Sequence, residues 1–173
     1  MRFSFMRLRL EKYSYRFAEQ VLNSKLQLKQ EIESILLDSS IDIPTLSRPN
    51  FNEVLKGLFV AKNWYNQPAV FGEINDPTAK LDFFKERIGI EVQFGHSSFI
   101  GIDLLKFQVS SYSNLDKIDV GIYVVTTKKF QKVMKEEYNN TWEGSLNFEK
   151  VIKYLPHFKS AIQVPIYVIG FDV

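Results

Sequence analysis

Apolar residues recur at helical spacing from Phe17 to Leu36, where Val21, Leu22, Leu26, Ile32, Ile35 and Leu36 share a side. Asn23-Ser24 interrupts this run and offers a cap, so the stretch predicts helix, cap, helix. Pro44 and Pro49 break the pattern between Ile41 and Asn50. It resumes from Asn52 to Trp64, with Val54, Leu55, Leu58 and Phe59 on one face of a further helix. Asn66 to Lys80 is rich in Asn, Gln, Pro and Gly and reads as a surface loop, where function tends to sit. The period then changes. Leu81 to Phe84 and Arg87 to Phe94 predict a β-hairpin turning at Lys85-Glu86, with Ile88, Ile90 and Val92 on one face. Phe99 to Val109 predicts a helix, Ile118 to Val125 a buried strand, Asn147 to Leu155 a helix and Val164 to Ile169 a strand. Strand-helix-strand order implies an α/β fold: a mixed, partly parallel central sheet flanked by helices. With no repeat, low-complexity segment or linker, residues 1–173 read as a single domain.

Composition narrows the chemistry. With 173 residues and 45% hydrophobic content, the chain can bury one substantial core, and its 15 phenylalanines read as core filling. A net charge of +2 permits nucleic acid without selecting it. The absence of cysteine excludes a disulfide scaffold, a thiolate metal site and a cysteine nucleophile, and fits a reducing cytoplasm. His96 and His157, the only histidines, cannot build a histidine cage. Met1 to Leu10 is basic but lacks the apolar run of a signal peptide, and no stretch approaches a membrane span. The expectation is a soluble cytoplasmic protein with no membrane partner.

The hairpin carries the candidate catalytic groups. Asp82 lies on its first strand and Glu91-Val92-Gln93 on its second, where alternation sends Glu91 and Gln93 to one face. Adjacent strands lie about 5 Å apart, so Asp82 and Glu91 can place their carboxylates around one small hard cation. Oxygen ligands on a rigid hairpin suit Mg²⁺, which keeps several waters and accepts one or two carboxylates plus a substrate phosphate. That is the arrangement of metal-assisted phosphodiester hydrolysis.

Asp82 followed by Glu91-x-Gln93 resembles the Asp…Glu-x-Lys signature of the restriction-endonuclease-like nucleases, with Gln in place of Lys. Glu91-Val92-Gln93-Phe94 is similar to the Glu-Val-Gln-Phe of the BglII and BstYI group of type II restriction endonucleases, for which the Gln is expected. The likeness extends over Asn52 to Lys62 and Trp64 to Gln67, ungapped to Glu91, and upstream to Leu22-Asn23 and Glu31-Ile32-Glu33. Downstream it covers Ile118 to Val125, Ser145-Leu146 with Glu149, and Val164-Pro165-Ile166 with Gly170. It implies a restriction-endonuclease-like fold, Asp82, Glu91, Gln93 and Gln67 as catalytic positions, and Asp82, Glu91 and Val92 as binders of Mg²⁺. Gln93 would orient water or a phosphate oxygen through its amide.

The same resemblance places base-reading residues just after the triplet, at Gly95, His96, Ser97 and Ser98, and in a second loop at Glu143, Gly144 and Ser145. His96 and Ser97 could donate to purine acceptors, and Glu143 could accept from a cytosine amine. Glu143 and Gly144 replace amide and hydroxyl side chains of a relative, so the target bases do not transfer by analogy. Tyr138 to Trp142 lacks a counterpart and reads as an insertion that could supply contacts. Candidate phosphate contacts are Lys128, Lys129, Lys132 and Lys135, and, near the start, Arg2, Arg7, Arg9, Lys12 and Arg16. The implied activity is cleavage of double-stranded DNA at a short palindrome, with GATC-centred sites the first to test. The implied assembly is a two-fold homodimer contacting through Phe51 to Trp64 or Phe99 to Gln108, with a cognate DNA methyltransferase in the same system but no stable complex. Two other readings share these residues: a structure-selective repair or recombination nuclease, and a DNA-binding module without turnover.

Overall fold

The structure is a computed structural model that describes residues 6–68, 70, 80–112 and 116–173. Six strands form one mixed sheet in the order β1-β6-β5-β4-β3-β2. They are β1 (Arg9–Tyr15), β2 (Tyr65–Asn66), β3 (Phe83–Lys85), β4 (Ile88–Val92), β5 (Val120–Thr126) and β6 (Ile166–Asp172). The central pairs β4/β5 and β5/β6 are parallel, while β1/β6, β3/β4 and β2/β3 are antiparallel. This is the mixed sheet the element order predicts.

Helices cover both faces: α1 (Ala18–Asn23), α2 (Leu26–Leu36), α3 (Arg48–Ala61), α4 (Ile100–Ser111), α5 (Lys128–Tyr138) and α6 (Phe148–Tyr154). Strand alternation divides the core in two. Ile88, Ile90, Ile122, Val124, Ile169 and Phe171 pack with α1, α2, α3 and α5. Tyr123, Val125, Ile166 and Val168 face α4 and α6. Glu91, set between Ile90 and Val92 on β4, therefore points toward α4.

That helix comes unusually close to the sheet. A Cβ built on Gly121 of β5 would lie 2.6 Å from the Phe107 ring, so only glycine lets Phe107, and α4 with it, settle against β5. Besides the two-residue β2, where a loop was expected, two further elements go beyond the predicted set. The basic segment near the start contains β1, an edge strand whose outward residues stay exposed. The lysine-rich stretch after β5 forms α5, capped by the Thr127 hydroxyl, which accepts from the Phe130 N–H at 3.0 Å.

Other boundaries shift for local reasons. Pro49, expected to break the pattern, stands in the first turn of α3, where its missing N–H costs nothing, and the Ser47 hydroxyl caps the helix by accepting from the Asn50 N–H. Ser24 does not cap α2; its hydroxyl donates back to the Val21 carbonyl at 2.6 Å. Tyr138 to Trp142 is no exposed insertion at its end. Trp142 is buried against Phe51, Phe94 and Phe130. Most of the loop between Asn66 and Lys80, including Glu73, lies outside the described residues, as does Arg2. Among the described residues no helix is long and apolar enough to cross a membrane.

Candidate active site

Asp82 stands immediately before β3 and opposite β4, its N–H donating to the Ile90 carbonyl at 3.0 Å. Its side chain turns to β4, where Oδ2 accepts the Val92 N–H at 2.7 Å. Gln67, with a left-handed backbone at φ 54°, donates its N–H to the Asp82 carbonyl at 2.9 Å, and the Asn66 amide reaches the same oxygen at 3.3 Å. The chain thus brackets Asp82 between Gln67 and Val92. Gln67 itself is exposed.

Glu91 is buried, at 5% exposure, beside Tyr123, its register partner on β5. Its Oε1 accepts from the Lys106 ammonium, whereas Oε2 is buried with no hydrogen-bond partner. Lys106 also reaches Asp103 Oδ1 at 3.2 Å and the Lys80 carbonyl at 3.1 Å. Asp103 Oδ2 accepts both the Tyr123 hydroxyl at 2.7 Å and the Gln93 amide nitrogen at 2.8 Å. The oxygen end of that amide accepts the Gly95 N–H at 2.8 Å, which fixes which way Gln93 faces.

This crowding of acids shifts their titration. Burial pushes the Asp82 carboxyl up to about 6, against the pull of the Val92 N–H and the Lys106 charge. Burial, then the nearby Asp82 and Asp103, holds Glu91 well above the ordinary carboxylate range, with Lys106 opposing. Burial works against the Lys106 charge, but Glu91 and Asp103 outweigh it and hold the ammonium above its usual range. An unpaired buried carboxylate oxygen beside a second carboxylate is a costly arrangement that a divalent ion would relieve. Among the described residues no group of three or more His, Asp or Glu side chains forms a ready-made cage. The donor set of Asp82, Glu91 Oε2 and neighbouring backbone at Val92 therefore fits an ion that keeps much of its water, as Mg²⁺ does.

Asp103, Lys106 and Tyr123 did not emerge from motif reading. Their signal was present: Asp103, Lys106 and Ser110 share the sheet-facing stripe of α4 with Phe107. Charges on a buried helix stripe demand partners, and here the partners are Glu91 and Gln93.

The two expected base-reading segments form one ledge. Ser97 N–H donates to the Gly144 carbonyl at 3.1 Å, Leu146 N–H to the Gly95 carbonyl at 2.9 Å, and His96 bridges Ser145. Gly144 adopts φ 77°, which favours glycine there. His96, Ser98, Glu143 and Gly144 are exposed, while Ser145 is buried with its hydroxyl accepting from Arg48 at 3.4 Å. Lys150 donates to the Ser97 hydroxyl at 2.9 Å, so two cations from α3 and α6 join the ledge. Lys128 and Lys129 are exposed in the first turn of α5; the backbone of Lys128 is held by Glu149, and the Lys129 ammonium reaches the Val173 carbonyl. Of the basic residues near the start, Arg9 is engaged by Asp172, Lys12 by Glu33 and Arg16 by the Lys159 and Ile162 carbonyls. These three fasten β1 to the body of the protein.

A family model described as restriction endonuclease BglII/BglIII matches residues 10–171. The chain belongs to the BglII/BglIII family of restriction endonucleases. Two solved structures of that enzyme show the same fold. BglII complexed with a DNA 16-mer superposes with a TM-score of 0.72 at 21% identity, covering 94% of this chain and 75% of that one. Free BglII superposes with a TM-score of 0.66 at 22% identity, covering 94% and 78%. No curated protein matches the chain.

Proposed function

We propose that this restriction endonuclease cleaves double-stranded DNA at a short palindromic site, with Asp82 and Glu91 holding Mg²⁺ and Val92 contributing from its backbone. The observation that carries the reading is the buried, unpartnered Oε2 of Glu91 beside Asp82 on the hairpin of a BglII-family fold. When bound, Mg²⁺ would supply charge for the scissile phosphate and a more acidic water. The protein's residues do the rest. Gln93 spends one amide hydrogen on Asp103 and has a second with which to orient water or a phosphate oxygen. Gln67, whose N–H donates to the Asp82 carbonyl, is exposed and would meet incoming substrate with its side chain.

The ledge of His96, Ser97, Ser98, Glu143 and Gly144 reads base edges, with Ser145 buried beneath it as support rather than as a reader, while Lys128 and Lys129 contact phosphates. One similar structure was solved with DNA, which supports a duplex partner here. A palindrome presents two identical half-sites, so the active unit is a two-fold homodimer. Of the two helices expected at the contact, α4 is the better supported. Ile102 and Leu105 on its outer side, with Phe99 just before its start and Tyr112 just past its end, are exposed at 36%, 48%, 46% and 53%. A DNA methyltransferase of matching specificity completes the system without a stable complex.

The test is direct: palindromic duplexes, GATC-centred ones first, are incubated with the protein and Mg²⁺ or EDTA. Site-specific double-strand cleavage with Mg²⁺ alone is expected. Preferential cutting of branched DNA would favour a repair nuclease instead, and binding without cleavage an inactive module.

A further inference from the structure

Lys106 has three ammonium hydrogens and three acceptors: Glu91 Oε1, Asp103 Oδ1 at 3.2 Å and the Lys80 carbonyl at 3.1 Å. It is 5% exposed and has no hydrogen left for a substrate, so it cannot act directly on DNA. It acts through Glu91. By occupying Oε1 it leaves that carboxylate a single open oxygen, Oε2, which is the buried atom without a partner. Asp103 in turn anchors Lys106 from α4 and, through its other oxygen, holds Gln93 and Tyr123. Phe107 locks the helix against Gly121, so the lysine cannot drift from Glu91 without moving α4.

We propose that Lys106 is a positioning residue that sets the metal preference of the centre, holding Glu91 to one open oxygen and thereby favouring Mg²⁺ over larger divalent ions. Mg²⁺ accepts single oxygens in a tight octahedron, whereas Ca²⁺ gathers six to eight ligands and readily takes both oxygens of a carboxylate. An ammonium fixed on Oε1 denies the second grip. The inference rests on the metal centre proposed above.

The measurement is calorimetric titration of the purified protein, without DNA, by MgCl₂ and CaCl₂ separately. Lys106→Met keeps the buried stem and removes the donor; it is expected to raise the Ca²⁺-over-Mg²⁺ affinity ratio about tenfold, the size typical of a residue that orients a metal ligand. Lys106→Arg, which keeps a donor on Oε1, should stay within about threefold of the parent. A parent-like ratio in a folded Lys106→Met protein overturns the proposal, as does an equal loss of both ions, the outcome of a merely structural lysine. If Lys106→Met does not fold, the isosteric Asp103→Asn serves. It leaves Lys106 more committed to Glu91 and should lower the ratio, whereas an unchanged or raised ratio overturns the proposal. Asp82→Ala separates the two levels. If it binds both ions as the parent does, the metal centre itself fails; if it loses both while Lys106→Met leaves the ratio alone, only the role of Lys106 fails.

Discussion

The centre beneath α4 and the ledge of residues 95–98 and 143–145 adjoin in sequence, yet they are held by different means. In the centre, Glu91, Gln93, Asp103, Lys106 and Tyr123 fix one another through side-chain bonds that are buried or half-buried. On the ledge, the links between the loops are backbone bonds, and His96, Ser98 and Glu143 stay exposed. Chemistry needs a rigid, dry cluster that is the same for every substrate, while base reading needs side chains that can change without disturbing the fold.

The largest expected effects lie in the centre. Asp82→Ala or Glu91→Ala should reduce Mg²⁺-dependent cleavage by about 1,000-fold or more while DNA binding in Ca²⁺ survives in gel-shift assays. Retained cleavage in either variant would remove the contrast between centre and ledge. Gln93→Ala should lower kcat by about 100-fold and Gln67→Ala by about tenfold, with KM little changed in both. If KM rises instead, these amides bind DNA and belong with the ledge.

The pH dependence of metal binding sharpens the same contrast. Folded-state values raised above the unfolded ones mean that Asp82 and Glu91 stabilise the metal-free fold when protonated. That contribution is lost as pH rises from about 4 through the Asp82 value near 6, and further for Glu91. A divalent ion needs both ionised, so the Tm increment on adding Ca²⁺ should grow as pH rises through about 6, where Asp82 ionises, and further as Glu91 follows. A pH-independent increment would place the ion elsewhere. The smallest effects belong to the ledge: Glu143→Gln and His96→Ala should leave the fold and the Ca²⁺-induced Tm shift unchanged while altering which sites are cut. Each is expected to cost about 1–3 kcal/mol of discrimination at one base pair, measured by cleavage of a duplex library.

Much of this was legible in the chain. The hairpin, its acids, α4 and the parallel strands β5 and β6 follow from periodicity, because buried strands and half-buried helices imprint their period on the sequence. β1 was missed because an edge strand with Arg9, Glu11 and Lys12 exposed does not look apolar. α5 was missed because its lysines mask the stripe carrying Phe130 and Met134. Asp103 and Lys106 were legible only as charges on an apolar stripe, and their role was not. A buried ion pair joins α4 to β4 across sequence distance, and only the fold, through the Gly121–Phe107 contact, brings them together.

The most direct measurement is digestion of a mixed genomic DNA by the purified protein with Mg²⁺, in parallel with Asp82→Ala, followed by sequencing of the ends. Ends that share one short palindrome, present with the parent and absent with Asp82→Ala, are the predicted result. Ends without a common sequence, or identical ends from both proteins, would contradict a site-specific nuclease whose metal centre is Asp82 and Glu91.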